Sequence, residues 1–219
     1  MKLLIASSYT SIEALVGCLF CSRSTILRTM DQVQLILNPF HLEMKVRRNY
    51  GLIIQGDEWS KRICLIFLHK VFAHENKPQI YEGAFGALFL NQTDYPQILQ
   101  DQILRYFGRH REITIPNIHV IKLTQYILLA KTRSRYASAI QYTEDQLNHI
   151  RQLSAFKAAR ELYASLPAYF KENLHENDIL SSAALIACCM TVKHPSRIPE
   201  NERAAIEAEV REITAFIAK

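Results

Sequence analysis

The sequence lacks a hydrophobic run long enough to cross a membrane. The longest apolar stretch, which contains ALIACCM, covers only residues 183–190, whereas a membrane-spanning helix needs about 20 apolar residues. Residues 1–6 have neither the apolar length nor the cleavage site of a secretory signal. The sequence therefore favours a cytoplasmic protein without a membrane partner.

Cysteine is also scarce, and the five cysteines have no spacing typical of a disulfide framework. An odd number without such spacing indicates reduced thiols in the cytosol. Cys18 and Cys21 form a CxxC pair, but no second pair and no histidine pair follows at zinc-site spacing. We expect two buried thiols on a helix and a turn here, and neither a metal nor a cofactor.

Motifs of common enzyme classes are missing as well. The sequence has no nucleophile elbow, no P-loop and no zinc-ligand spacing. Glu172, Glu176 and Asp178 lie close together just before an apolar run, which is typical of a turn and a helix cap. His175 beside Asp178 has the same explanation. We therefore predict no catalytic residue and no enzyme.

The sequence does contain a basic excess in its first third. Residues 1–72 have nine Lys and Arg against five Asp and Glu, and so carry +4 of the formal net charge of +5. A cationic region of this kind suits contact with a polyanion such as nucleic acid. A basic surface that serves only solubility would also explain so modest a charge.

Residues 11–38 predict a helix-turn-helix. Apolar residues recur at helical spacing through residues 11–20, and Ser22 is a good N-cap for a second helix. That helix ends near Asn38-Pro39 and buries residues spaced by four, three and four: Ile26, Met30, Val33 and Leu37. Two helices joined by a short turn, with a serine at the second N-terminus, favour the helix-turn-helix motif.

A basic hairpin follows. Residues 40–46 alternate apolar and polar side chains, which predicts a half-buried strand with Phe40, Leu42, Met44 and Val46 facing inward. RRNYG supplies a turn, and LIIQG returns as a second strand. Asp57 then caps a helix that runs to about Phe72, and its expected inner side chains are Trp59, Ile63, Ile66 and Phe67. A hairpin in this position is typical of a wing.

The rest of the chain predicts a helical bundle. We assign residues 1–72 to a winged helix-turn-helix domain, 73–93 to a connector, 94–195 to a bundle and 196–219 to a C-terminal helix. One bundle helix is expected from a Thr143 cap through residue 166, with acidic residues in its first turn that suit the helix dipole. The expected fold class is mainly α.

Several stretches resemble PRD-containing transcription regulators (PRD, phosphotransferase-system regulation domain). The N-terminal ones are SIEALVGCLFCSRSTILRTMDQVQLIL and the hairpin with its following helix, in which GLIIQGDEWSKR is the most specific part. KLTQYILLAKTR and the stretch from SAFKAARELY to IACCM resemble helices of one PRD. The resemblance covers about residues 10–192, is nearest to the Mga-like branch, and includes the BglG, LicR and MtlR kinds of activator.

The resemblance implies two phosphoacceptor histidines and phosphotransferase-system proteins as partners. The first histidine position is Tyr126 here, and the second is an alanine, Ala183 or Ala184. Neither residue supplies an imidazole nitrogen, so phosphorylation at these positions is not expected. His119, two helical turns before Tyr126, is a candidate for an alternative phosphoacceptor, although a structural histidine explains it too.

The family also sets expectations about size. Its members usually carry a further N-terminal helix-turn-helix, a second PRD and enzyme-II-like modules. Residues 199–219 resemble the lead-in to a second PRD, so the sequence is expected to be a fragment, a short paralogue or a decayed copy.

The predicted partner is double-stranded DNA, contacted by a homodimer. A phosphate is expected on the N-terminus of the second helix and base edges along its outer face, with the wing on the backbone or minor groove. The expected DNA-binding residues are Ser22, Arg23, Ser24, Thr25, Arg28, Thr29, Gln32, Arg47, Arg48 and Asn49.

Two other functions stay open. The chain is alternatively a truncated interaction module that does not bind DNA and oligomerises with full-length PRD regulators. RNA antitermination ranks below both, because residues 10–38 are predicted to be helical. In either case the bundle is expected to be a constitutive oligomerisation or ligand-sensing unit, with Leu123, Ile127, Leu128 and Ala130 in its core or interface.

Overall fold

The computed structural model of the chain is mainly helical. It describes residues 2–5, 9–74, 86, 88–89, 93–110, 113–134, 139–189 and 191–192. No helix among these residues is long and apolar enough to cross a membrane. The predicted C-terminal helix at 196–219 and most of the predicted connector at 73–93 lie outside the described residues.

Ten α-helices and four strands of the described chain have defined bounds. The helices are α1 (Lys2–Ile5), α2 (Ile12–Leu19), α3 (Arg23–Leu37), α4 (Glu58–His74), α5 (Tyr95–Arg109), α6 (Asn117–Arg133), α7 (Glu144–Gln152), α8 (Ser154–Ser165), α9 (Ala168–Lys171) and α10 (Glu176–Cys189). The strands are β1 (Glu43–Arg47), β2 (Gly51–Gln55), β3 (Ile113–Thr114) and β4 (Thr191–Val192), which pair antiparallel as β1–β2 and β3–β4.

The predicted helix-turn-helix is confirmed by α2 and α3. Ser11 caps α2 by accepting the amide of Ala14, and Ser22 caps α3 by accepting the amide of Thr25. Phe20 joins the two helices in the left-handed region, with φ of 50°. Ile12, Leu15, Ile26 and the β2 residue Leu52 form a small apolar cluster beneath the motif.

The predicted hairpin is also confirmed, but its first strand is shorter than expected. β1 begins at Glu43, because Asn38–Phe40 continue from α3 as a 3-10 turn and His41 adopts a left-handed conformation. Leu42 is buried as expected, whereas Val46 is 62% exposed. The strand leaves the core before it reaches Val46, so the alternating pattern overstates how far the hairpin is buried.

Asp57 caps α4 as predicted, since its carboxylate accepts the backbone amide and the hydroxyl of Ser60 at 2.8 and 2.7 Å. The predicted inner side of α4 is only partly right, because Ile66 does pack against an apolar core cluster and Trp59 lies against the buried Tyr126 ring. Phe67 is exposed and the other three expected residues are half-buried. The buried residues of α4 are Arg62, Cys64, Leu65 and His69, because α4 packs against a bundle helix as well as against the wing.

Helices α5 to α10 form the bundle around one apolar core. The core is built from residues such as Ile103, Leu123, Ile127, Leu162 and Phe170. Leu123, Ile127, Leu128 and Ala130 are all at most 3% exposed, so they belong to the core of the bundle and not to a surface interface.

One predicted bundle helix is two helices. The predicted Thr143 cap is confirmed, and it forms a capping box in which Gln146 returns a hydrogen bond to the Thr143 amide. The helix nevertheless breaks at Leu153, which is extended with ψ of 138°. The break lets α7 and α8 both reach α10, a tertiary effect that the helical pattern does not contain.

The winged region and the bundle share a helix. Leu129 of α6 is fully buried in the winged region's core with Leu37, Leu42, Ile54 and Leu65, whereas Leu123 and Ile127 of the same helix lie in the bundle core. Helix α6 is therefore buried on two sides, and it brings bundle side chains into contact with α4.

Candidate nucleic-acid interface

Three hydroxyl groups gather at the N-terminus of α3. The Ser22 Oγ atom accepts the Thr25 amide at 3.1 Å and lies 2.8 Å from both Ser24 Oγ and Thr25 Oγ1. Ser22 and Ser24 are exposed, and Thr25 is half-buried. A helix N-terminus with exposed hydroxyls attracts an anion, because its amides and dipole present partial positive charge.

Arg23, predicted to reach DNA, is exposed but engaged. Its Nη1 atom donates to Glu13 Oε1 of α2 at 2.5 Å, and the two side chains are 62% and 70% exposed. An ion pair this open to solvent contributes roughly 1 kcal/mol at most. Glu13 therefore lowers the local positive charge, and a phosphate must compete with it for Arg23.

The outer face of α3 displays two of the predicted base-contacting residues. Arg28 and Gln32 are exposed. Thr29 is half-buried, and its hydroxyl donates back to the Thr25 and Ile26 carbonyls at 3.2 and 3.0 Å. Of the predicted residues on this face, Thr29 is therefore the least suited to reach a base edge.

The wing tip carries the predicted basic cluster. Arg47, Arg48 and Asn49 are all exposed, and Asn49 turns the chain with φ of 65°. The Arg47 guanidinium lies 4.3 Å from the centre of the Tyr50 ring, a cation–π distance that limits its motion. The tip thus presents two guanidinium groups and one amide to solvent.

The wing is fixed to the segment before α2. The Thr10 amide donates to the Leu52 carbonyl and the Leu52 amide to the Thr10 carbonyl, both at 2.8 Å. Gly51 adopts φ of 107°, and a Cβ atom there would lie 2.1 Å from the Thr10 carbonyl oxygen. Only glycine fits this approach, so Gly51 couples the position of the wing to the helix-turn-helix.

Sequence reasoning missed three residues on the same face of α3. Leu27, Asp31 and Leu35 are exposed and follow Ser24 at helical spacing. The prediction considered the cationic and short polar residues of α3. Spacing of i, i+3 and i+4 places Leu27, Asp31 and Leu35 beside those residues, and this was the signal that could have found them.

Tyr126, at the predicted phosphoacceptor position, is fully buried between the winged region and the bundle. Its hydroxyl accepts a hydrogen bond from Arg62 Nη1 at 3.3 Å, and its ring centre is 5.7 Å from that of Trp59. Burial, with a smaller contribution from Asp178, raises the pKa of Tyr126, although Arg62 opposes the shift. Tyr126 is therefore a neutral, solvent-inaccessible phenol.

Tyr126 adjoins a buried charge cluster that we call the ionic joint: Glu58 and Arg62 of α4, Arg133 of α6, and Asp178 of α10. Arg133 makes a two-pronged contact with Glu58 at 2.6 and 2.7 Å, and its Nη1 atom donates to the Leu4 carbonyl at 3.2 Å. Arg62 donates to Glu58 at 2.8 Å and to Asp178 at 2.5 Å. The joint ties α4 to two bundle helices.

The joint is balanced in charge and removed from water. Two arginines face two carboxylates, and their side chains are between 1% and 8% exposed. Burial acts to raise the pKa of Glu58, but hydrogen bonds and charge from Arg133 and Arg62 outweigh it and hold the pKa below its ordinary value. Removing any one member would leave a buried charge without full compensation.

The sequence signal for the joint was present but ambiguous. Asp178 does cap α10 as predicted, because its Oδ2 atom accepts the His175 amide at 2.8 Å. The spacing from Glu58 to Arg62 suits an ordinary surface pair on a helix. Arg62 and Asp178 are 116 residues apart, so no local pattern joins them.

The other predicted regulatory positions are less accessible than a phosphoacceptor requires. Of the two alternatives for the second position, Ala183 is fully buried and Ala184 is half-buried. His119 lies in the first turn of α6 and is half-buried; its Nδ1 atom is enclosed, with no hydrogen-bond partner in the described part of the chain. The enclosed nitrogen fits a structural histidine better than a group that exchanges phosphate with a protein partner.

The CxxC pair is not as buried as expected. Cys18 is exposed, and Cys21 is half-buried. The expectation of two buried thiols is wrong because the turn at Phe20 faces solvent. Within the described ranges, no group of three or more His, Cys, Asp or Glu residues is arranged to hold a metal ion.

Comparison with known proteins finds similarity to transcription regulators. Residues 1–69 match the Mga helix-turn-helix domain. The chain is 26% identical over 165 residues to the Probable licABCH operon regulator of Bacillus subtilis (strain 168), a match that covers 75% of this chain. It spans a quarter of that relative's length. The predicted resemblance is confirmed as a similarity: residues 1–69 match the Mga helix-turn-helix domain, and the chain is similar to an operon regulator of the LicR kind.

Proposed function

We propose that this protein is a transcription regulator that binds duplex DNA through the outer face of α3 and the wing. The observation that carries the proposal is the exposure of Arg28, Gln32, Arg47 and Arg48 on the two elements that a winged helix-turn-helix uses for DNA. The match to the Mga helix-turn-helix domain supports it. Regulators of this kind act by binding, so we propose no catalytic activity and no cofactor.

The two elements have different roles in this proposal. Helix α3 enters the major groove, where Arg28 and Gln32 reach base edges and the Ser22–Ser24 hydroxyls adjoin a phosphate. The wing residues Arg47, Arg48 and Asn49 contact the backbone or the minor groove. Phosphate contacts set affinity and its dependence on salt, whereas α3 sets the preferred sequence.

We propose a homodimer as the DNA-binding form. One recognition helix addresses one half-site, and a two-fold protein reads a symmetric site whose half-sites lie about 34–36 Å apart or a multiple of that distance. Selected sites should therefore be palindromic. Sedimentation of the purified chain, alone and with such a duplex, measures the stoichiometry; one protein chain per duplex would contradict the dimer.

We further propose that phosphotransfer does not control the PRD-like bundle. The resemblance puts the phosphoacceptor positions at Tyr126 and at Ala183 or Ala184, none of which has an imidazole; Tyr126 and Ala183 are buried, and Tyr126 is held against the ionic joint. The bundle then acts as a fixed platform for the winged region. Incubation with the phosphotransferase-system phosphocarriers and labelled phosphoenolpyruvate tests this; label on any histidine, His119 included, would refute it.

The test of the main proposal is a binding titration of the purified chain against duplex DNA from upstream of its own gene, by fluorescence anisotropy and gel shift. We expect a gel shift whose affinity increases as the salt concentration is lowered. An unrelated duplex should compete only weakly with the upstream DNA. Arg28→Gln should weaken binding, whereas Arg160→Gln, on an exposed bundle position, should not. No shift at low salt would reject DNA binding.

A second candidate function is an interaction module that pairs with full-length PRD regulators. The exposed apolar side chains of Leu35, Ile36 and Phe67 favour it, because they are 69%, 45% and 45% exposed and apolar surface suits protein contact. This candidate predicts no gel shift and a stable complex with a purified longer relative. The DNA titration therefore separates the two functions.

A further inference from the structure

The outer face of α3 holds one apolar residue where base edges are read. Recognition helices contact bases with their N-terminal residues, and Leu27 is the fifth residue of α3. Leu27 is 46% exposed. Helical spacing places it between Ser24 on the preceding turn and Asp31 on the following one, so its surroundings on this face are polar.

The polar side chains around Leu27 are engaged to different degrees. The Ser22, Ser24 and Thr25 hydroxyls bond to one another, and Thr29 bonds to the helix backbone. In the described part of the chain, Arg28, Asp31 and Gln32 make no side-chain hydrogen bond or ion pair. The N-terminal half of this face therefore offers three uncommitted polar groups and one apolar side chain, Leu27, to whatever it meets.

Asp31 determines which part of DNA this face meets. A carboxylate beside the phosphate strand would suffer like-charge repulsion, whereas in the groove it can accept a hydrogen bond from an amino group of cytosine. Since Asp31 is one turn from Leu27 and exposed, this surface suits the floor of the major groove and not the backbone.

An apolar side chain on the groove floor has one good partner. The C5 methyl group of thymine is the apolar feature that base pairs present there, and other edges present hydrogen-bond donors and acceptors. Covering such a polar group with Leu27 would remove its water without replacing the hydrogen bond. Leu27 therefore favours thymine and disfavours cytosine at the same position.

We infer that Leu27 is a specificity-determining residue that reads a thymine methyl group in each half-site, next to the bases contacted by Arg28. The inference rests on the proposed DNA-binding function. It goes beyond that function because it names an apolar contact and the base that it selects.

The test replaces single methyl groups in the DNA. A preferred duplex is first selected from a random library with the full chain, and each thymine is then changed to deoxyuridine, which keeps the hydrogen bonds and removes the methyl. For the wild type, we expect one thymine per half-site at which this change weakens binding about fourfold, as the loss of one buried methyl group would.

Leu27→Ala should bind the thymine and deoxyuridine duplexes equally well. Leu35→Ala is the matched control, because Leu35 is an exposed leucine two turns further along α3. This variant should still bind the deoxyuridine duplex more weakly than the thymine duplex, as the wild type does. Both variants are checked for an unchanged thermal midpoint.

The outcomes separate the inference from the function on which it rests. Sequence-specific binding without any sensitive thymine, or an unchanged deoxyuridine penalty in Leu27→Ala, would overturn the role of Leu27 and leave the DNA-binding function intact. Failure of the wild-type chain to bind any duplex at low salt would reject both.

Discussion

The same residue type has opposite surroundings in two regions of this protein. Arg28, Arg47 and Arg48 of the proposed DNA-binding surface are exposed, whereas Arg62 and Arg133 of the ionic joint are 1% and 3% exposed. The exposed guanidiniums keep their hydration until a polyanion replaces it. The buried ones have lost theirs and depend on Glu58 and Asp178. An arginine in a basic protein is therefore evidence of nucleic-acid contact only where it is exposed.

The largest effect on stability should come from removing one charged member of the ionic joint. Arg62→Met removes the partner of Asp178 and one of the two partners of Glu58 while filling similar space. We expect the free energy of unfolding to fall by about 3–5 kcal/mol, as when a buried ion pair loses one member. Urea denaturation followed by circular dichroism measures the change.

The exposed Arg28→Met variant is the control for this experiment, and its stability should change by less than about 0.5 kcal/mol. Adding Asp178→Leu to Arg62→Met should recover part of the loss, because the unpaired charge disappears. Equal destabilisation by Arg62→Met and Arg28→Met would contradict the claim that buried and exposed arginines contribute differently to stability.

A second effect should appear in the pH dependence of the free energy of unfolding, through His69 at the contact between α4 and α6. Burial lowers the pKa of His69 to about 4, and its Nδ1 atom lies 3.0 Å from the Gln125 amide nitrogen, from which it accepts. The unfolded chain binds a proton near pH 6.5, before the native one does. Stability should therefore fall as pH drops from 6.5 to 4, by roughly 3 kcal/mol.

Urea denaturation at pH 7, 5.5 and 4.5 measures this dependence. His69→Gln should flatten it, and His149→Gln, at an exposed position, should not. Glu58 contributes little above pH 4.5: its pKa is lowered from that value, so the stability that it adds is complete at higher pH and is lost as pH falls below about 4.5. An unchanged slope in His69→Gln would show that the pKa of His69 does not differ between the folded and the unfolded chain.

A smaller effect on stability is expected from replacing Gly51 of the wing, in contrast to a glycine elsewhere in the protein. Gly51→Ala forces a side chain into a left-handed conformation and against the Thr10 carbonyl. We expect a loss of about 1–3 kcal/mol in stability and weaker DNA binding. Gly17→Ala, which meets nothing within 4 Å in the interior of α2, should instead gain about 0.5–1 kcal/mol. Normal DNA affinity in Gly51→Ala would mean that the wing does not contact DNA.

Local signals predicted the helix caps and the exposure of the proposed DNA-binding arginines. The caps at Ser22, Asp57 and Thr143 were predicted correctly because each is formed within three residues of the chain. The exposure of Arg28 and the wing arginines agrees with the prediction for the same reason, since they lie opposite apolar positions or at a turn. Their contact with DNA stays a prediction.

Contacts that are distant in sequence were not predictable. The buried side of α4, the exposure of Val46 and the break at Leu153 all depend on which element packs against which. The ionic joint depends on the approach of α4, α6 and α10, and its members read separately as surface pairs or caps. The joint explains why Tyr126 is buried, which the family resemblance alone did not reveal.

The most direct test of the account is the salt dependence of DNA binding in two charge-matched variants. One variant changes Arg28, Arg47 and Arg48 to glutamine; the other changes the exposed bundle residues Lys157, Arg160 and Lys171, so both lose the same charge. We predict that the first reduces the slope of log affinity against log salt by up to about three units and that the second leaves it unchanged. Equal slopes in the two variants would contradict a DNA-binding face on α3 and the wing.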